Sequence, residues 1–158
     1  LFIGNSRKIF RPILKDLLPT DYKLSVYGRN WEEFPVYDYV VDDYLDNGKV
    51  GQAYHDAKIL LNDHWDDMRD NGIISNRIFD ALAVGAFVIS DEIPELDALF
   101  EGNVVTYHDR EDLKEKIDYY MTHDEEREKK AKAGQQIVLK AHTFRDRVKD
   151  IVEVFDKL

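Results

Sequence analysis

The sequence predicts an α/β domain with a mostly parallel sheet and helices on both faces. Short, mostly apolar runs alternate with longer stretches of helical period, the pattern of strand–helix units around a buried sheet. The 158 residues, 44% of them hydrophobic, suffice for one well-packed core and are too few for two ordinary domains. No repeat, low-complexity tract or Pro/Gly/Ser linker marks an internal boundary, so residues 1–158 read as a single domain.

The strands, in order, are expected at Leu1 to Gly4, Leu24 to Tyr27, Lys58 to Asn62, Ala86 to Ser90 and Val104 to Tyr107, with a weaker one near Tyr39 to Asp42. Each is brief and mostly apolar, as strands covered on both faces are. Ile9, Phe10, Ile13, Leu14, Leu17 and Leu18 recur at helical spacing, with Pro12 tolerable only in the first turn. Lys49 to Ala57 and Ser75 to Val84 are the next helices. Asp109 can cap a helix with Leu113, Ile117, Tyr120 and Met121 on one face, and Asp124 opens another with acids near its positive end. Thr143 caps a closing helix whose Phe144, Val148, Ile151, Val152 and Phe155 form an apolar stripe that needs covering.

A formal charge of -10 and a pI near 4.9 make nucleic acid and anionic membrane surfaces poor partners. Any nucleotide must be met by local cations or backbone amides. The absence of cysteine excludes disulfides, thiolate metal sites and thiol catalysis, and fits a reducing compartment, so a cytoplasmic location is expected. No apolar run approaches the roughly 20 residues of a bilayer crossing. The chain opens directly on Leu1-Phe2-Ile3-Gly4, a strand end without an initiator Met, which suggests an excised domain.

The stretch Asp70 to Asp91, DNGIISNRIFDALAVGAFVISD, runs from a Gly-bearing loop into a helix and then into a buried strand. Ser75 or Asn76 can cap that helix, although Ile78 stands where a reciprocal capping box needs Glu or Gln. A helix start after a loop offers free N–H groups and partial positive charge, the requirements for gripping a phosphate. Gly72 lets the backbone approach closely. Asp80, one turn in and on the side of Asn76 and Arg77, can accept ribose hydroxyls. The plainer alternative is a simple cap with an exposed Arg77–Asp80 pair worth a few tenths of a kcal/mol. Polar residues also gather where ligands bind open parallel sheets, at the carboxyl ends of strands: Gly4-Asn5-Ser6-Arg7-Lys8, Tyr27-Gly28-Arg29-Asn30-Trp31 and Asn62-Asp63-His64-Trp65.

The runs LFIGNSRKIFRPIL, VYGRNW, ILLNDHWDDMRDNGIISNRIFDALAVGAFVISD, VVTYHDREDLKEKIDYYMTHDEER and HTFRDRV together resemble the C-terminal donor-binding domain of GT-B glycosyltransferases, group 1. They look most like the branch related to the spore-maturation protein CgeB. The resemblance covers nearly the whole chain in order, and its most specific part is the run from Asn76 to Gly85. It implies a Rossmann-like, three-layer α/β/α half of a two-domain enzyme. This half would hold a nucleoside diphosphate sugar, with a uridine diphosphate sugar as the expected donor, and a missing N-terminal half would hold the acceptor. The fragment alone would bind but not turn over.

Carried over by position, Asp80 matches the acid that meets the nucleotide ribose, normally Glu. Gly72 stands where many relatives carry an acid that touches the sugar. The amides of Ile73, Ile74 and Ser75 match the diphosphate cradle, beside Asn76 and Arg77, and Arg7 matches the basic residue aimed at the leaving phosphates. Preorganised cations and amides can stabilise that departing charge by several kcal/mol. Asn5, Tyr27, Gly28, Asn62 and His64 complete the expected donor-binding set.

His64 beside Asp63, Asp66 and Asp67 has the donor types of a hard-cation site. The histidines are scattered, however, and no Asp-x-Asp triplet occurs, so no cofactor and a metal-independent transfer are expected. Arg7 and Lys8 also read as a solvated pair, Asp42 and Asp43 as plain surface, and Trp31 and Trp65 as loop-closing core contacts. The alternative function is a non-catalytic α/β signalling or interaction module. A receiver domain needs paired acids after its first strand, where Gly4-Asn5-Ser6 stands. A dehydrogenase needs a Gly-x-Gly-x-x-Gly run that is absent.

Overall fold

Every strand expected from an apolar run is present, each shorter than its run, in the computed structural model, which describes residues 1–157. The strands are β1 (Phe2–Ile3), β2 (Val26–Tyr27), β3 (Val40–Asp42), β4 (Leu60–Asn62), β5 (Val88–Asp91) and β6 (Val105–Tyr107). The helices are α1 (Pro12–Leu17), α2 (Asn47–Asp56), α3 (Asp66–Asp70), α4 (Asn76–Ala83), α5 (Pro94–Phe100), α6 (Arg110–Thr122), α7 (Asp124–Ala141) and α8 (Phe144–Phe155), with a 3-10 turn at Pro35–Tyr39.

Strands β1, β2 and β3 pair in parallel, as do β4, β5 and β6. Leu1 joins the two sets: its N–H donates to the Ile59 carbonyl at 2.9 Å, and its carbonyl accepts from the Leu61 N–H at 2.8 Å. The strands therefore run β3-β2-β1-β4-β5-β6, the doubly wound order of Rossmann-like domains. The chain reverses direction of growth between β1 and β4, and loops meet in a crevice at that point.

The sheet separates two cores. One packs Ile13, Leu14 and Leu17 of α1 and Leu113 and Ile117 of α6 against Leu61, Ile89 and Val105. The other packs Tyr54 of α2, Ile78 and Leu82 of α4 and Leu96 and Phe100 of α5 against Leu60 and Val88. Leu60 and Leu61 go to opposite cores because side chains alternate along a strand. This three-layer arrangement is the expected α/β/α domain.

Helix starts follow the sequence in most places. Pro12 occupies the first turn of α1, Asp109 accepts from the Asp112 N–H at 2.9 Å, and Thr143 and Asp146 form a reciprocal capping box on α8. None of α8 is buried: Phe144 is 84% and Phe155 70% exposed, so its apolar stripe lies uncovered. No helix among the described residues is long and apolar enough to cross a membrane.

Candidate functional site at the carboxyl ends of β1, β4 and β5

The strand alternation that sorts Leu60 from Leu61 continues past the end of β4 and decides where each polar residue goes. Asp63 turns to the α1 side. Its carboxylate accepts from Arg11 Nε at 2.9 Å and from Arg11 Nη2, and Arg11 Nη2 also donates to the Asp63 carbonyl at 2.8 Å. Both residues are buried, and the Asp63 Oδ2 also faces the Ile13 N–H at the start of α1. Burial pushes the Asp63 carboxyl up from its ordinary value, while Arg11 pulls it down.

Asn62 and His64 turn the other way, toward α4. Asn62 accepts from Arg77 Nη1 at 2.9 Å and donates to Ser90 Oγ at 2.9 Å. The Arg77 guanidinium thus points into the sheet, over the Phe2 ring at 5.6 Å and against Gly4, where a Cβ would sit 3.0 Å from its Nη2. Burial lowers its pKa. It forms no ion pair with Asp80, which stays exposed beside Asn76. Arg77 is therefore a bolt between α4, β4 and β1, and not the outward-facing neighbour of Asp80 that helical spacing alone suggests.

His64 is fully enclosed. Its Nδ1 lies 2.7 Å from Asp91 Oδ1, and its Nε2 accepts the Ser75 N–H at 3.0 Å. An acceptor at Nε2 places the single ring proton on Nδ1, facing the carboxylate. Ser90 Oγ donates to Asp91 at 3.0 Å, so a continuous polar chain runs Arg77, Asn62, Ser90, Asp91, His64, Ser75.

That chain changes the account of the helix start. Ser75 occupies the N-cap position of α4, but no side chain caps the helix. Of the three amides expected to form a diphosphate cradle, Ile73 N–H donates to the Met68 carbonyl at 2.8 Å and Ser75 N–H to His64. The amides of Ile74, Asn76 and Arg77 have no hydrogen-bond partner among the described residues. The free donors are displaced toward the helix because an imidazole already takes the amide of the N-cap residue. Gly72 adopts φ +62 and lies against the Glu95 carboxylate, where a Cβ would meet Oε1 at 2.5 Å.

The loop after β1 is also shaped from within. Ser6 is buried; its Oγ donates to the Asn30 carbonyl and accepts the Lys8 N–H at 2.9 Å. Arg7 and Lys8 follow with φ of +51 and +63, a strained pair for side chains that are not glycine. Arg7 is exposed, and its guanidinium sits 5.1 Å from the Trp65 ring centroid, with Arg11 stacked at 3.8 Å. Trp65 follows His64 directly, so Arg7 and the start of α4 meet around one short segment.

Asn5 Oδ1 accepts the Arg29 N–H at 2.8 Å, tying this loop to the one after β2. There Gly28 comes so close that a Cβ would stand 2.2 Å from the Gly4 carbonyl oxygen. Tyr27, half-buried, accepts the Gly4 N–H at 2.8 Å. Trp31 is a core residue, donating Nε1–H to the Gly4 carbonyl at 3.1 Å.

The structure thus brings Asn5, Arg7, Tyr27, Gly28, Asn62, His64 and Arg77 to the β1–β4 end of the sheet, with Gly72, Ile73, Ile74, Ser75, Asn76 and Asp80 on the adjoining loop and helix. Asp63, Asp66 and Asp67 do not gather around His64. Among the described residues, no cluster of three or more His, Asp or Glu is placed to hold a metal ion. An apolar groove of about 460 Å³, lined by Leu1, Leu24, Ile59 and Met121 among others, lies around the beginning of β1, β2 and β4, and of the expected site residues only Tyr27 lines it.

The family model for glycosyl transferase-like proteins matches residues 6–153. This chain belongs to the glycosyl transferase-like family. The match takes in the site from Ser6 through Asp91, with Asn5 just outside it. A curated protein of similar sequence, the spore protein CgeB of Bacillus subtilis (strain 168), is 28% identical over 149 residues, covering 84% of this chain and 46% of the relative. The glycosyl transferase-like chain therefore spans less than half the length of that relative.

Within this glycosyl transferase-like domain, sequence reasoning missed Asp91, Ser90 and the Arg11–Asp63 pair. Asp91 ends the run Val88–Asp91, and a carboxylate closing a buried strand was the available signal.

Proposed function

We propose that this chain is the donor-binding half of a GT-B glycosyltransferase, which transfers a sugar from a nucleoside diphosphate sugar, with a uridine diphosphate sugar as the expected donor. One observation carries the reading: α4 begins at the crevice between β1 and β4 with the Ile74, Asn76 and Arg77 amides unspent and no side-chain cap. In a molecule of formal charge -10, such a cluster of donors suits a small anion held at short range.

The diphosphate rests on those amides, Asp80 accepts the ribose hydroxyls, and Arg7, leaning on Trp65, meets the charge that develops on the departing nucleoside diphosphate. Stabilisation comes from fixed donors in place of a metal ion. The acceptor is held by a second, N-terminal domain, against which the uncovered stripe of α8 packs, and turnover requires both halves. The reaction takes place in the cytoplasm.

Calorimetric titration with uridine, guanosine and adenosine diphosphates and with sulfate tests this reading. Saturable binding of one nucleoside diphosphate well above the others and above sulfate is expected. Equal indifference to all four would return the chain to the class of non-catalytic modules.

A further inference from the structure

Asp91 is 5% exposed, and everything that approaches its carboxylate is a donor. The His64 backbone N–H lies 3.0 Å from Oδ2, His64 Nδ1 2.7 Å and Ser90 Oγ 3.0 Å from Oδ1, with Arg69 Nη1 at 3.6 Å from Oδ2. Both of its oxygens are therefore used as acceptors. His64 in turn has a side chain with no exposed surface, and its Nε2 faces a single group, the Ser75 N–H.

We propose that His64 and Asp91 are a positioning pair for the anion seat: Asp91 keeps the imidazole proton on Nδ1, and the bare Nε2 then holds the Ser75 amide and sets the loop from Asn71 to Ser75. The inference rests on the reading of the first turn of α4 as the diphosphate site. Neither residue touches the ligand. Their work is to fix the backbone whose neighbouring amides do, which lowers the cost of ordering those donors when the anion arrives.

The chemistry makes the pair sensitive to changes of one atom. Asn at 91 has one acceptor and one donor where two acceptors are needed. If its oxygen faces Nδ1–H, its NH2 opposes the His64 N–H and Arg69; if it flips, the proton moves to Nε2 and opposes the Ser75 N–H. At position 64, Asn keeps a donor near the Nδ1 position and loses the acceptor for Ser75. Gln carries an oxygen near the Nε2 position and restores that acceptor.

Two readouts test the pair on the whole chain: hydrogen exchange at the Ser75 amide, and affinity for uridine diphosphate and for inorganic pyrophosphate. Asp91→Asn and His64→Asn are expected to speed Ser75 exchange and weaken both probes by about tenfold or more, with β6 and α6 amides unchanged. His64→Gln is expected to recover most of both losses. If Asp91→Asn fails to fold, the contrast between Asn and Gln at position 64 decides. Gln no better than Asn, or unchanged exchange and affinity in all variants, overturns the proposal. If exchange responds as expected but the unaltered protein binds neither probe, the donor-site reading falls and takes with it the purpose assigned to the pair.

Discussion

Ser75 donates its backbone N–H to Nε2 of His64 at 3.0 Å, and this bond takes the N-cap amide out of the free donors at the start of α4. A serine at the N-cap position ordinarily uses its hydroxyl on the next turn. Here the hydroxyl makes no such bond, the imidazole takes the N-cap amide from below, and the donors of Asn76 and Arg77 are left open. A helix start held from the interior, and unoccupied on its outer side, is what an anion site needs.

Asp80 and Arg7 are both exposed. Asp80→Ala and Arg7→Ala should therefore each weaken the preferred nucleoside diphosphate by roughly 1 to 3 kcal/mol, the worth of a charged hydrogen bond, while leaving thermal unfolding unchanged. Paired calorimetric titrations and melting curves check this, and normal binding by both variants would misplace the site.

The Arg11–Asp63 pair is buried, so breaking it from one side strands a charge. Asp63→Leu or Arg11→Met alone should cost about 3 to 5 kcal/mol, whereas the double replacement should cost clearly less than the sum. Urea unfolding of the three variants gives the coupling directly; simple additivity would contradict it.

Gly28 has φ +138, and an added Cβ would lie 2.2 Å from the Gly4 carbonyl oxygen. Gly28→Ala should destabilise by at least about 2 kcal/mol and loosen the loop that carries Arg7. A denaturation midpoint equal to that of the unaltered chain would show that the two loops do not approach as described.

Much of this was legible in the sequence, for reasons that differ by residue. The apolar runs marked all six strands, and Asp109 and Thr143 announced the helices they cap. Helix α3 was not legible because Asp66–Asp70 buries nothing and so has no apolar period. Helix α5 had its signal, Pro94 in the first turn with Leu96 and Phe100 one turn apart, within a stretch short enough to pass as a loop. The candidate site's place, the carboxyl ends of parallel strands, was legible before the bonds within it were. Arg77 looked like a surface cation because its partner, Asn62, is distant in sequence and sits at the end of β4 beneath α4. His64 looked like a companion of Asp66 and Asp67, but strand alternation sends it to Ser75, with Asp91 on the neighbouring strand.

The exposed stripe of α8 should contribute little to the stability of this domain. Val148→Ser and Ile151→Ser, at residues 58% and 55% exposed, should each shift unfolding by under about 0.5 kcal/mol. A large loss of stability in the isolated domain would show the stripe to be covered by it.

The free amides at the start of α4 are tested most directly by following backbone amide resonances during titration with uridine, guanosine and adenosine diphosphates. An anion seat at the start of α4 makes Ile74, Asn76 and Arg77 move together and saturate with one of the three, while Ile73, already bonded to Met68, moves least. Saturation with those three amides unmoved, or shifts confined to the apolar groove around Leu1, would contradict it.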